Sequence, residues 1–218
     1  ELAARRELVF VGGQRLAQVL NKTTLREGGF HVDEASNKLT LKLRAGLNPN
    51  TTTTEVAVRE QLFYIWNHDN IAIRGIVFQH SANQFRQAAV AFQEGQGREC
   101  RNIIVVDTVI SNNGQLGLEN YCDDALMRRN RANDNGFGGI MGGNANGWLL
   151  EDNQTNRNAW RSWAGGYKGW ATAGLKVLDV ANFTARRHEA KYNYADGFWI
   201  DTNNTNIKER KSAPPKDM

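Results

Sequence analysis

No apolar run in this 218-residue chain approaches the roughly 18 residues that a membrane-spanning helix needs, so no membrane partner is expected. No run of Lys and Arg is interleaved with stacking aromatics, and a net charge of +4 is modest for this length. Nucleic acid is therefore not an expected partner either. The cysteines number two, and no second Cys or His pair stands at ligand spacing, so no metal site is expected. The chain holds no Gly-rich phosphate loop, no Ser/His/Asp nucleophile arrangement and no HExxH. Its Gly pairs at 138–139, 142–143 and 165–166 precede no helical pattern, so they are corners rather than a dinucleotide fingerprint. Proline is scarce at 3, whereas glycine reaches 21 and Asn recurs throughout. Gly and Asn tolerate the left-handed conformations that an array of short strands needs at its corners.

What the chain does have is a beat. Between Asn102 and Asp201 one phrase recurs four times: RNIIVVDTVISNNGQLGLEN, DDALMRRNRANDNGFGGIMG, NGWLLEDNQTNRNAWRSWAG and TARRHEAKYNYADGFWID. Each copy has alternating apolar residues, a polar bend, a second apolar piece, and an Asn before a small-residue turn and a third apolar piece. The anchoring residues are Asn113, Asn135, Asn158 and Asn193, at intervals of 22, 23 and 35. Two near-equal intervals and one with an insertion describe a ladder of short-stranded coils that share one core. The apolar spacing is two, which excludes helices.

The register that follows is specific. Ile71, Ile103, Ala125 and Trp148 share a level, as do Ile73, Val105, Met127 and Leu150. The third strands align as Leu118, Ile140, Trp163 and Phe198, with Glu119, Met141, Ala164 and Trp199 facing outward. At the bend, Asp107, Arg129, Asp152 and Arg187 form a column of alternating charge, a salt-bridge ladder. Beside it, Thr108, Asn130, Asn153 and His188 form a polar column in which His188 reads as a ladder terminus. Cys100 and Cys122 lie one coil apart, at a spacing a disulfide allows; a bridge in an exported protein and two stacked thiols both remain open.

The organisation is then an all-β chain in three parts. Residues 1–60 form a small antiparallel β unit, with GG at 12–13 as a hairpin turn and LAARREL as a single helical turn. Residues 61–208 are parallel β-helix coils, and 209–218 are a disordered charged tail. Nothing of the usual signal-peptide pattern stands at the start, which lacks Met. The exposed end coils are open sheet edges, where another copy would give a homo-oligomer.

The phrases NIAIRGIVFQHSAN and GGYKGWATAGLKVLDVANFTARRHEAKYNYADGFWIDTNN resemble coils of right-handed parallel β-helix proteins. That superfamily includes pectate-lyase-like polysaccharide lyases, epimerases and glycoside hydrolases, and this chain resembles the central portion of a longer bacterial member. The resemblance implies a polysaccharide as partner, a secreted, periplasmic or cell-surface location, and a substrate groove on the outward face of the third strand. The expected activity is cleavage of glycosidic bonds by hydrolysis or β-elimination; the alternative is a non-catalytic carbohydrate-binding or surface protein. On that face the candidate catalytic groups are Asp201, Asp196, Lys168 and Glu119. Glu119 stands three coils from Trp199, roughly 14 Å at strand spacing, whereas a glycosidase pair lies about 5–10 Å apart. Glu119 and Asp201 are therefore not that pair, and Asp201 needs Asp196 or a group from the loop 164–172. Lys168 would be the base of a lyase, and Arg161 its charge stabiliser. Trp199, Trp170, Tyr167 and Trp160 are the candidate sugar platforms. A lyase would also need Ca²⁺ if acidic side chains held a uronate through it; no other cofactor is implied. Asp201→Asn is expected to abolish turnover and leave melting nearly unchanged.

Overall fold

The structure, a computed structural model, describes residues 1–95, 100–167, 169 and 172–210. Six strands build the N-terminal unit: β1 (Val9–Val11), β2 (Gln14–Arg15), β3 (Ala17–Val19), β4 (Gly29–Asp33), β5 (Lys38–Lys42) and β6 (Thr54–Val56). They make two three-stranded sheets, β2-β1-β6 and β3-β4-β5, antiparallel except for β3 with β4. Val9, Val11, Leu16 and Phe30 form their own small core.

The coils follow. One parallel sheet stacks β7 (Phe63–Trp66), β10 (Ala88–Gln93), β13 (Leu116–Asn120), β15 (Gly138–Asn146), β17 (Ala173–Ala181) and β19 (Asp196–Ile200) in that order. A second stacks β8 (Ile71–Arg74), β11 (Ile103–Val106), β14 (Leu126–Arg128), β16 (Leu149–Glu151), β18 (Thr184–Arg186) and β20 (Lys208–Arg210). The third side pairs β9 (Val77–Gln79) with β12 (Val109–Ser111) and continues as single bridges through Arg131, Gln154 and Glu189. Between them lies one apolar column, from Ile73, Val105, Met127 and Leu150 to Leu118, Ile140 and Leu175.

The expected levels are the observed ones in the second sheet. Ile103 pairs with Ile71, and Val105 with both Ile73 and Met127, which in turn pairs with Leu150. In the first sheet Leu118 pairs with Ile140, but Ile140 then pairs with Leu175, which leads to Phe198. Trp163 is therefore not a core rung, nor is Ala164 the outward residue beside it. The segment WRSWA closes instead into one helical turn, α1 (Trp160–Ala164), and leaves Trp163 half exposed. The next rung starts only at Ala173, so Leu175 and Lys176 take the places expected of Trp163 and Ala164. Glu209 and Arg210 belong to β20 rather than to a tail; residues 211–218 lie outside the described residues.

The bends hold the coils in register. Asp107, Arg129, Asp152 and Arg187 all sit in the left-handed region, with φ of 55°, 52°, 55° and 49°. That conformation is unfavourable for residues with a Cβ, so its repetition shows that stacking sets the corner. Arg129 forks onto Asp107 and Arg187 onto Asp152, which gives the expected ladder of charge. Inside the same bend Thr108 N–H donates to Asn130 Oδ1 at 3.0 Å, and Asn130 N–H to Asn153 Oδ1 at 2.9 Å. Cys100 and Cys122 are bridged, with Cα atoms 4.8 Å apart. Closing a 22-residue separation contributes about 3 kcal/mol on the chain-entropy account.

His188 ends the polar column with Nε2 2.9 Å from Thr155 Oγ1. Burial pulls its pKa from 6.5 down to about 4, against a small opposing pull from Glu189. The unfolded ring takes a proton below 6.5 that the folded ring refuses until about 4, so stability must fall as pH drops through that window. Chemical denaturation across pH 4–7 is expected to show a loss of up to about 3 kcal/mol, and His188→Asn to flatten it. An unchanged slope in that variant would assign the acid sensitivity elsewhere.

Candidate functional site

Strand alternation puts one row of side chains from the first sheet outside the core. Read along the stack, the row is Tyr64, Ala91, Glu119, Met141, Lys176 and Trp199. A row facing water should be polar and exposed, yet Met141 is 2% and Lys176 1% exposed. Met141 belongs to a second apolar cluster with Ala91, Leu116 and Phe137, on which Phe85, Tyr167 and Leu178 pack. Tyr167, its hydroxyl bonded to Arg86, is part of this cover over the middle of the sheet.

Two charged stations stand on this face. At the first, Glu119 is 7% exposed; Gln93 Nε2 donates to its Oε2 at 3.0 Å, and Tyr121 also hydrogen-bonds it. Burial raises the carboxyl pKa, an effect only partly offset by these two neutral donors. Burial likewise raises the Tyr121 hydroxyl, with the neighbouring carboxylate adding to it. At the second, Lys176 Nζ lies 2.7 Å from Asp201 Oδ2 and 3.8 Å from the centre of the Trp199 ring. The hydrogen bond from Lys176 holds Asp201 below the usual carboxylate range, with help from the Thr202 N–H. Two acids on one face are thus displaced in opposite directions by their surroundings.

The distance between them decides how they combine. Glu119 leads to Met141, then Lys176, then Trp199, three rungs or roughly 14 Å. Glu119 also leans back toward Gln93 on the preceding coil, away from Asp201. Asp196 is exposed at the opposite end of β19 from Asp201, roughly 16 Å along an extended strand. It is not the partner Asp201 was expected to need; the group actually beside Asp201 is Lys176.

The other expected site residues divide. Trp160 and Arg161 point to the N-terminal unit. Trp160 Nε1 donates to the Asp134 carbonyl at 2.9 Å, and the Arg15 guanidinium lies 3.6 Å over its ring. Arg161 donates to Gln18 Oε1 at 2.8 Å and to the Glu7 carbonyl at 2.7 Å, and burial pulls its pKa to about 10. Both brace the seam between α1 and the first sheets. Lys168 and Trp170 lie outside the described residues. Lys176, Gln93 and Tyr121 were missed by sequence reasoning; a single Lys within the apolar run AGLKVLDV was the available signal for the first. Among the described residues no group of three or more His, Cys, Asp or Glu side chains is placed to hold a metal ion.

Residues 61–212 match the family model described as the right-handed beta helix region. Among solved structures, a complex of XylC with xylose superposes with a TM-score of 0.63 at 12% identity, covering 94% of this chain and 49% of that one. The A-module of a mannuronan C-5 epimerase from Azotobacter vinelandii reaches a TM-score of 0.40 at 16% identity, over 68% of this chain and 45% of that one. This chain thus spans about half the length of the structures it resembles. No curated protein matches it in sequence.

Proposed function

Since the chain belongs to the right-handed β-helix family, we propose that it is a carbohydrate-active enzyme cleaving glycosidic bonds of a polysaccharide bound along the outer face of its first sheet. The observation that carries this reading is Lys176. An ammonium buried on a face that alternation aims at solvent is costly unless paired, and its partners are a carboxylate and an indole. Perturbed ionisable groups gathered on one face make that face a candidate for chemistry.

In this reading Asp201 is the ionised carboxylate, Lys176 fixes its charge and direction, and Trp199 supplies a flat surface for a sugar ring. Glu119, its carboxyl pKa raised by burial and three rungs away, serves a neighbouring subsite rather than acting as the acid paired with Asp201. The likeness to a protein solved with xylose adds only analogy of fold. The Cys100–Cys122 bridge suits an oxidising compartment, which supports a secreted, periplasmic or surface location.

One observation favours a second reading. The Glu119 to Asp201 spacing exceeds that of an acid and its catalytic partner, as in a non-catalytic carbohydrate-binding protein. Incubation with xylan, polygalacturonate and polymannuronate, assayed for new reducing ends and for ultraviolet absorbance of unsaturated ends, separates the two. Product supports the enzyme, and its loss on chelation would identify a Ca²⁺-dependent elimination. Binding without product supports the binding protein, and neither binding nor product removes both.

A further inference from the structure

On the reading of that outer face as a carbohydrate track, we propose that Tyr64 and Trp66 form a distal sugar-binding platform at its first-coil end, so that the ligand is an extended polysaccharide.

In β7, Phe63 and Ile65 pack on the core while Tyr64 and Trp66 point outward, 42% and 55% exposed. Their rings meet edge to face with centroids 6.4 Å apart. Two large aromatics left in water on one patch forgo burial that most such side chains obtain, which marks a surface that something covers. The register says what lies beside them. Tyr64 stands opposite Ala91, and Ala91 opposite Glu119; Trp66 stands opposite Gln93. Gln93 joins the two places: its Oε1 accepts from the Tyr64 hydroxyl at 3.4 Å while its Nε2 donates to Glu119. The platform is therefore continuous with the first charged station.

The chemistry of the patch selects the occupant. Two flat apolar rings edged by an amide and a hydroxyl match the faces and hydroxyl rims of pyranose rings. Tyr64 and Trp199 stand five rungs apart, roughly 24 Å, with Phe85, Phe137 and Tyr167 over the middle of the row, so a ligand touching both ends must pass over that cover and be several sugars long. An interface between two copies of the chain is the competing occupant, and the test below resolves it.

The full chain and its Trp66→Ala variant are titrated calorimetrically with xylan, polygalacturonate and polymannuronate, and with the di- and hexasaccharide of each. Sedimentation and melting are followed in parallel. Trp66→Ala is expected to weaken binding of the hexasaccharide and the polymer by about tenfold or more, while its effect on the disaccharide is several times smaller. Equal affinity for the hexasaccharide in both proteins overturns the platform, while retained binding by the wild type leaves the carbohydrate reading in place. A change in self-association with sugar binding unaltered also overturns it and makes the patch an interface between copies. Absence of binding to any of these sugars by the wild type removes the carbohydrate reading and the platform together.

Discussion

Replacing Asp201 with Asn is expected to cost turnover and stability together, because the change removes the carboxylate that pairs with the buried Lys176 ammonium. Sequence alone led to the opposite expectation for melting, since Asp201 reads there as a surface carboxylate near a strand end. The fold places it over a lysine that is 1% exposed, at 2.7 Å. Removing one member of a buried pair costs several kcal/mol; the Asp201 side chain retains 22% of its exposure, so about 1–3 kcal/mol is the appropriate scale here. Turnover is expected to fall about 100-fold or more, the contribution of a positioned acid–base group. Lys176→Met should be milder in melting, since it leaves an ionised carboxylate that still reaches water. The double variant Lys176→Met with Asp201→Asn is the decisive protein. Taking out both charges should recover most of the melting temperature and none of the activity. If the double variant is no more stable than Asp201→Asn, the pair carries no coupling. If Asp201→Asn retains full turnover, Asp201 leaves the site.

The same contrast explains which parts of the molecule were legible in the sequence. The coil beat, the Asn anchors, the core levels of the second sheet and the bend ladder all follow from a two-residue period repeated at 22 or 23 residues. Each is local and self-consistent, because a one-residue slip would turn every apolar side chain out of the core. The site was harder because it depends on the one interval that breaks the beat. The 35-residue step from Asn158 to Asn193 contains α1 and the chain after it, and the segment WRSWAGG carries apolar residues that mimic a rung. Trp163 was placed by that mimicry, whereas AGLKVLDV holds the true one. With the register shifted there, Lys176 received no place in the outward row, and Asp201 lost its neighbour. Arg161 was misread for a different reason: its partners, Gln18 and Glu7, lie in a unit more than a hundred residues away in sequence, and no periodicity links the two.

Truncation of Asn135 to Ala should destabilise the fold more than any change on its surface. Asn135 Oδ1 accepts from both the backbone N–H and the Nδ2 of Asn113, at 3.1 and 3.0 Å. Its Nδ2 donates to the Ile110 carbonyl at 3.0 Å and to Asn158 Oδ1 at 3.2 Å. Asn113, Asn135 and Asn158 are all fully buried, so no water can replace what is removed. Each orphaned buried group costs about 1–3 kcal/mol, which puts the variant about 3–6 kcal/mol below the wild type, a large share of the stability of an ordinary domain. The control is Asp107→Asn at the other bend, which keeps a residue that tolerates the left-handed corner. It removes a bidentate ion pair with Arg129 that is roughly half exposed on both sides, and solvent screens such a pair, so no measurable loss is expected. Because coils are stabilised by their neighbours, a break at Asn135 weakens the coupling between the coils before it and those after it. Urea unfolding of Asn135→Ala is therefore expected to show a lower midpoint and a shallower slope, as the two halves of the stack cease to melt together. Equal midpoints for the two variants would mean that the outer charge ladder, not the inner amide ladder, holds the coils in register.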